Sequence, residues 1–215
     1  ESLVILGKSG AGKSVLLKNI STLMVPDSGS IEIDGEEITN LSESKRFSLM
    51  DRFGFLFQNG ALFDSMNVWE NIAFKLLSSR KVSRVEARKI ALEKLKIVNL
   101  DDKTADLYPN ELSGGMQKRV ALARAIACDP EIIFFDEPTT GLDPVTANRI
   151  NYLILKTIEL TGATAITITH DVHSAELIST RMVLLDDGKI CWEGTKVSLH
   201  ESVNGKINNF VSGIE

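Results

Sequence analysis

Only two cysteines, Cys128 and Cys191, occur in the 215 residues. They stand far apart, with no second Cys or His at metal-ligand spacing. That excludes a disulfide-stapled miniature and a zinc site, fits a reducing compartment, and leaves both expected as inert buried thiols. An excess of positive charge is missing too. The 24 Lys and Arg against 29 Asp and Glu leave a formal net charge of −5, so no overall positive field gathers nucleic acid or anionic lipid. No apolar run reaches the roughly 20 residues that span a bilayer; the densest, Leu3 to Leu6 and Ile132 to Phe135, are strand-sized. Repeats, low-complexity tracts and a secretory pattern are absent as well, and because the first residue is Glu1 rather than Met the chain reads as a fragment. What is present is 43% hydrophobic and 25% charged, a globular balance that rules out collagen and a disordered tail.

Short apolar runs alternate with longer amphipathic ones, which predicts an α/β fold with a largely parallel sheet. Leu3 to Leu6 reads as a buried strand, Gly7 to Gly12 as a glycine-rich loop, and Ser14 to Met24 as a helix closed by Pro26, Asp27, Ser28 and Gly29. Ser30 to Asp34 and Glu36 to Ile38 form an expected antiparallel hairpin about Gly35, and Gly54 to Phe57 a further strand. From Asn67 to Asn99 the pattern turns wholly helical, with Val85, Leu92 and Leu95 at core spacing. Within it, Arg80 to Lys96 holds seven basic and two acidic residues, read as a solvated helix face rather than a phosphate or headgroup contact. A helix from about Gly114 to Cys128, the strand Ile132 to Phe135, a helix Val145 to Leu160 and the strand Thr164 to Thr169 resume the alternation. Met182 to Leu185 and Lys189 to Trp192 flank an Asp187-Gly188 hairpin turn before short terminal helices.

Gly7, Lys8, Ser9, Gly10, Ala11, Gly12, Lys13 and Ser14 fit G-x-x-x-x-G-K-[ST], after an apolar strand and at the opening of a helix. Glycines let backbone N–H groups close on phosphates, the helix N-terminus adds positive potential, Lys13 reaches the β and γ oxygens, and the Ser14 hydroxyl takes a magnesium position. Asp136-Glu137-Pro138 follows the strand Ile132 to Phe135, so its acids emerge at a carboxyl end, where α/β sheets bind ligands. Asp136 holds magnesium through water. Strand alternation turns Glu137 to the other face, free to orient or deprotonate an attacking water. Ser113, Gly114 and Gly115 open a second helix with a hydroxyl cap and bare N–H groups, again shaped for an anion. His170 ends a strand, where an imidazole donates a hydrogen bond to a γ-phosphate, and Asp171 is placed to cap the next helix.

On these motifs the chain resembles the nucleotide-binding subunit of the ATP-binding-cassette (ABC) transporter family, from Leu3 to Ile214. The resemblance implies one ABC ATPase domain over 1–215. Its RecA-like core would occupy about 1–66 and 130–215 and a helical subdomain about 67–129, and the family's preceding strands and adenine-stacking aromatic would fall before the first residue, leaving a sheet edge uncovered. It makes Gln58 a magnesium ligand and lobe-coupling residue, Leu112 to Gln117 the signature, Gly141-Leu142-Asp143 a dimer-contacting loop and His170 a switch. ATP and Mg2+ are the implied ligands. Two copies would face head to tail, Ser113, Gly114 and Gly115 of one closing over the γ-phosphate held by Lys13 of the other.

The stretch Phe57 to Ile72 and the ending Asn209 to Ile214 are similar to the Mla/Mce-type phospholipid-trafficking ATPase branch. That likeness implies phospholipid traffic between inner and outer membrane, with membrane permease subunits and an Mce-domain lipid-binding partner. It also implies a cytoplasmic protein peripheral to the inner membrane, with no nucleic acid partner. Small-solute import, ribonucleotide included, is the alternative. Leu62, Phe63, Met66, Val68 and Trp69 line a permease groove or pack in the core. Non-transport ABC ATPases of DNA repair or translation and a small-molecule kinase are rival readings, and in a kinase the Leu112 to Gln117 signature would have no task.

Overall fold

The structure, a computed structural model, describes residues 1–79 and 82–213. Strand β1 (Ser2–Leu6) leads into helix α1 (Lys13–Ile20), the hairpin β2 (Glu32–Ile33) and β3 (Glu36–Glu37), helix α2 (Glu43–Met50) and β4 (Phe53–Leu56). Four helices follow: α3 (Val68–Ile72), α4 (Phe74–Ser78), α5 (Arg84–Ile97) and α6 (Gly114–Ala125). Alternation then resumes with β5 (Ile132–Asp136), α7 (Pro144–Thr161), β6 (Thr164–Thr169), α8 (Val172–Ile178), β7 (Arg181–Asp186), β8 (Lys189–Gly194), α9 (Lys196–His200) and α10 (Gly205–Ser212).

Among the described residues, six strands form one sheet in the order β4-β5-β6-β1-β7-β8, and β2 pairs with β3 apart from it. Neighbours in the large sheet run parallel except β7 and β8. That exception has a local cause: Asp187 and Gly188 have φ of 47° and 70°, the left-handed pair of a two-residue hairpin turn. Leu6 pairs with Thr169, and Asp136 with Ile168. The loops leaving β1, β5 and β6 therefore open beside one another at the carboxyl edge, where parallel sheets take their ligands.

The central parallel strands β1, β5 and β6 are buried on both faces, as parallel sheets require, whereas the edge strand β8 is largely open. Val4, Leu6, Ile133 and Phe135 enter a core shared with α3, α5, α6 and α7, while Ile5 and Phe134 pack on the opposite side against Leu17 and Leu49. Asp136 continues the register of Phe134 on the α1 side.

Local sequence expectations needed several corrections. The hairpin is shorter than expected, because the Ile31 amide donates to Thr39 Oγ1 at 2.8 Å and ends the ladder there. Helix α1 stops at Ile20 rather than Met24, with Thr22 left-handed at φ 60°. Helix α6 stops at Ala125 rather than Cys128, and Asp129 is left-handed at φ 47°. Val85 is not core: it is 82% exposed, and the inward stripe of α5 is Ala87, Ala91 and Leu95, spaced by four. Val68 and Trp69 are buried in the core, whereas Phe63 is 40% exposed and stacks with Phe74 at 4.5 Å. Cys128 and Cys191 are free but half-buried, not buried. On the basic helix, Arg84 pairs with Glu70, Arg88 with Asp106 and Lys94 with Asp129. Arg80, Lys81 and Ile214 lie outside the described residues.

Candidate functional site

The loop between β1 and α1 is shaped by its glycines. Gly10 and Gly12 have φ of 84° and 98°, and a Cβ on Gly7 would come within 2.6 Å of the Leu185 carbonyl oxygen. Gly12 caps α1 without any side-chain bond, so the first amides of that helix face the loop unshielded by a side chain. Lys13 is 7% exposed. Its Nζ donates to the carbonyls of Gly7 (2.7 Å) and Lys8 (3.1 Å) and lies 3.6 Å from Glu137 Oε1. A buried ammonium held against the backbone of a glycine-rich loop has the chemistry to meet a polyphosphate.

Glu137 is where strand logic failed in detail. β5 ends at Asp136, and Glu137 takes a left-handed φ of 46°, its amide donating to the Ile168 carbonyl at 3.0 Å. The carboxylate therefore reaches the cleft by a backbone turn, not by alternation along the strand. Its Oε2 accepts from Thr140 Oγ1 (3.0 Å) and Thr169 Oγ1 (3.3 Å), and His170 Nδ1 lies 2.9 Å away. An ionised carboxylate only accepts, so Nδ1 carries the hydrogen. In that tautomer Nε2 is the ring's acceptor. Asp171 caps α8 through the His173 amide, as expected.

Lys8, Ser9, Gly10, Gly12, Lys13, Ser14, Gln58, Glu137 and His170 line one cleft of about 830 Å³, so most of the expected nucleotide residues converge. Ala11 packs beneath the loop, nearly buried. Ser14 and Gln58 are exposed, with their side chains available to a cation. Asp136 has a buried Oδ1 with no hydrogen-bond partner, and burial first, then the charge of Glu137, raises its pKa above the ordinary carboxylate value. A carboxylate oxygen without a partner, a hydroxyl and a side-chain amide are all oxygen donors of the kind that suits magnesium, a hard cation.

Ser113, Gly114, Gly115 and Asp143 are elsewhere. They line a second concavity of about 840 Å³, with Gly141, Arg119, Arg149 and Lys156 among its other walls. Ser113 Oγ caps α6 by accepting from the Met116 amide (3.3 Å), and Gly115 packs so near α7 that a Cβ would meet Thr146 Cγ2 at 2.8 Å. The Asp143 carboxylate caps α7, accepting from the Val145 and Thr146 amides at 3.0 Å, and bonds to Thr146 hold its pKa below the usual range. Two half-sites thus stand apart in one chain.

Sequence reasoning missed Thr140, Thr169, Lys118 and Arg124. Lys118 is 6% exposed and donates to the Gln58 carbonyl; burial pushes its pKa down, partly offset by Asp136 and Glu137. Arg124 donates to the carbonyls of Gly60 (2.6 Å) and Ala61 (2.7 Å). Both cations fasten the Gln58 loop to α6. The available signal was a lysine three and four residues ahead of Ala121 and Leu122, in the inward register of the helix.

Fold and site together define an α/β module with a glycine-rich phosphate-loop motif and a second helix start capped by Ser113. The chain belongs to the ABC transporter family, whose model matches residues 1–140. It is 41% identical over 215 residues to the probable ribonucleotide transport ATP-binding protein mkl of Mycobacterium leprae, covering 99% of this chain and 61% of that protein. It is 40% identical over 209 residues to the intermembrane phospholipid transport system ATP-binding protein MlaF of Haemophilus influenzae, covering 97% of this chain and 79% of that one. The dimeric post-hydrolysis structure of the ATP-binding cassette MJ0796 with ADP and Pi matches with a TM-score of 0.83 and 37% identity, over 91% of this chain and 85% of that chain. Among the described residues, no helix is long and apolar enough to cross a membrane.

Proposed function

We propose that this chain binds and hydrolyses ATP as the motor subunit of a transporter, working as a head-to-tail homodimer. The observation that carries the reading is Glu137, set between the Lys13 ammonium and the His170 imidazole in the cleft beside the phosphate loop. Lys13 and the loop amides would hold the triphosphate. Mg2+, when bound through Ser14, Gln58 and water on Asp136, would neutralise phosphate charge. Glu137 accepts a proton from the attacking water, and His170 holds that carboxylate in place. That Ser113, Gly114 and Gly115 line a different concavity from the phosphate-loop cleft supports a second copy.

ATP carries a γ-phosphate that both copies can bind and ADP does not, so closure follows ATP and opening follows hydrolysis. In this reading the chain divides into a core of about 1–66 and 130–215 and a helical lobe of about 67–129. It docks on membrane permease subunits at the cytoplasmic face of the inner membrane. The likeness to the phospholipid transport protein MlaF favours phospholipid as cargo and an Mce-domain lipid-binding partner. A second reading, ribonucleotide import, is favoured by the name of the mycobacterial relative. Replacing Lys13 by alanine tests the foundation: titration calorimetry should show ATP affinity reduced by roughly 10- to 100-fold, and an unchanged Kd would contradict it.

A further inference from the structure

Behind Glu137 and His170 lies a buried polar network centred on one hydroxyl. Ser174 on α8 and Asn151 on α7 are each 1% exposed. Asn151 Nδ2 donates to Ser174 Oγ at 2.8 Å, and Ser174 Oγ donates to Asp171 Oδ2 at 2.5 Å. A hydroxyl has a single hydrogen, so Thr139 Oγ1 is the donor in its 3.3 Å contact with Ser174. In these three bonds the hydrogens run toward Asp171. That residue organises the turn bearing His170: its Oδ1 accepts from the His173 amide (3.0 Å), and its own amide donates to Thr169 Oγ1 (3.0 Å). The Thr169 hydroxyl donates a hydrogen bond to Glu137 Oε2.

The network carries a cost in stability. Asn151 sits among the buried Ile150, Leu153 and Ile154, and its Oδ1 has no hydrogen-bond partner. A buried unmet carbonyl destabilises, and an apolar residue would serve that helix face better. What the network does is join three segments, the turn after β5 through Thr139, α7 through Asn151 and the α8 cap through Asp171.

We propose that Ser174 is a positioning residue for hydrolysis. Through Asp171 and Thr169 it fixes the 169–171 turn so that Thr169 and His170 both occupy Oε2 of Glu137. Oε1, facing Lys13 at 3.6 Å, is then the oxygen that receives the proton. In the step, a water O–H proton passes to Oε1, the water oxygen bonds the γ-phosphorus, and the bond to the β,γ-bridging oxygen breaks with its electron pair leaving on ADP. The inference rests on the hydrolytic reading above.

The test compares Ser174→Ala, Asn151→Leu and the double variant in the full-length chain assembled with its membrane partner. Ser174→Ala should lower kcat about tenfold or more while the KM for ATP stays within about twofold. It should also lower Tm by roughly 3–8 °C, because the Asn151 amide loses its acceptor. Adding Asn151→Leu removes that orphan, so Tm recovers while kcat stays low. The double variant also keeps the test open if Ser174→Ala fails to fold. Unchanged kcat in either Ser174 variant, or recovery of kcat along with Tm, overturns the proposal. A second readout needs no turnover: the downfield proton resonance of His170 Nδ1–H should disappear in the double variant, and its persistence overturns the proposal. Absence of turnover in the unsubstituted assembly would overturn the hydrolytic reading instead, with the resonance still deciding whether Ser174 positions His170.

Discussion

At the scale of single residues, the backbone of Glu137 determines what its side chain can do. A left-handed φ is uncommon for a residue with a Cβ and is held here by the Ile168 carbonyl and the Thr140 amide on either side of the turn. The turn swings the carboxylate from the end of β5 into the cleft. Glu137→Gln keeps the volume and the oxygen that accepts from Thr140 and Thr169 but has no basic carboxylate. ATP binding and ATP-driven dimerisation should persist while phosphate release slows by roughly 10²- to 10⁴-fold, read by a steady-state phosphate assay; near-normal turnover would remove Glu137 from the base role. Cys128 makes a different residue-scale prediction. Burial pushes its thiol above the ordinary value, with the neighbouring Lys75 acting in the opposite direction. Less thiolate is present at mildly alkaline pH, so iodoacetamide should modify Cys128 more slowly than a free peptide cysteine, as followed by mass spectrometry.

At the scale of elements, α5 and α6 separate what periodicity reveals from what packing decides. The helical character of both was readable from spacing, yet the face that α5 turns inward was misread at Val85, because two overlapping apolar stripes satisfy the same period. Alanines 87 and 91 are small enough to admit neighbouring helices, and that closeness selects the stripe ending at Leu95. Leu95→Ala should lose about 2–5 kcal/mol in denaturant unfolding and Val85→Ala no more than about 0.5 kcal/mol. Equal losses would restore the first register. Along α6, Lys118 and Arg124 were invisible as functional groups because their partners, the carbonyls of Gln58, Gly60 and Ala61, are some 60 residues earlier in the chain. A cation bound to distant backbone leaves no local pattern. The phosphate loop was legible for the opposite reason: strand, glycines, lysine and helix are contiguous, and each supplies its part of the cradle locally.

At the scale of the whole molecule, the proposed pairing of the two concavities across a dimer is testable by mixing. A Lys13→Ala chain retains its signature face, and a Gly115→Asp chain retains its phosphate loop. Each alone should be inactive as a homodimer. A mixture should regain activity, because one of the two sites in the mixed dimer pairs an intact loop with an intact signature. If each chain contained a complete site of its own, mixing would restore nothing. The Gly115 change acts through crowding, since any Cβ there already meets Thr146.

By itself, the amino-acid order determined the α/β alternation, the glycine-rich loop opening α1 and the capped start of α6, because these depend on contiguous residues and short-range sterics. It also placed Asp136 and His170 at strand ends, since apolar runs stop there. Tertiary structure alone decided which oxygen of Glu137 is occupied, which stripe of α5 is buried and that Ser174 meets Thr139, Asn151 and Asp171. Those contacts join side chains from separate elements, and their geometry follows from sheet order and helix packing rather than from any spacing along the chain.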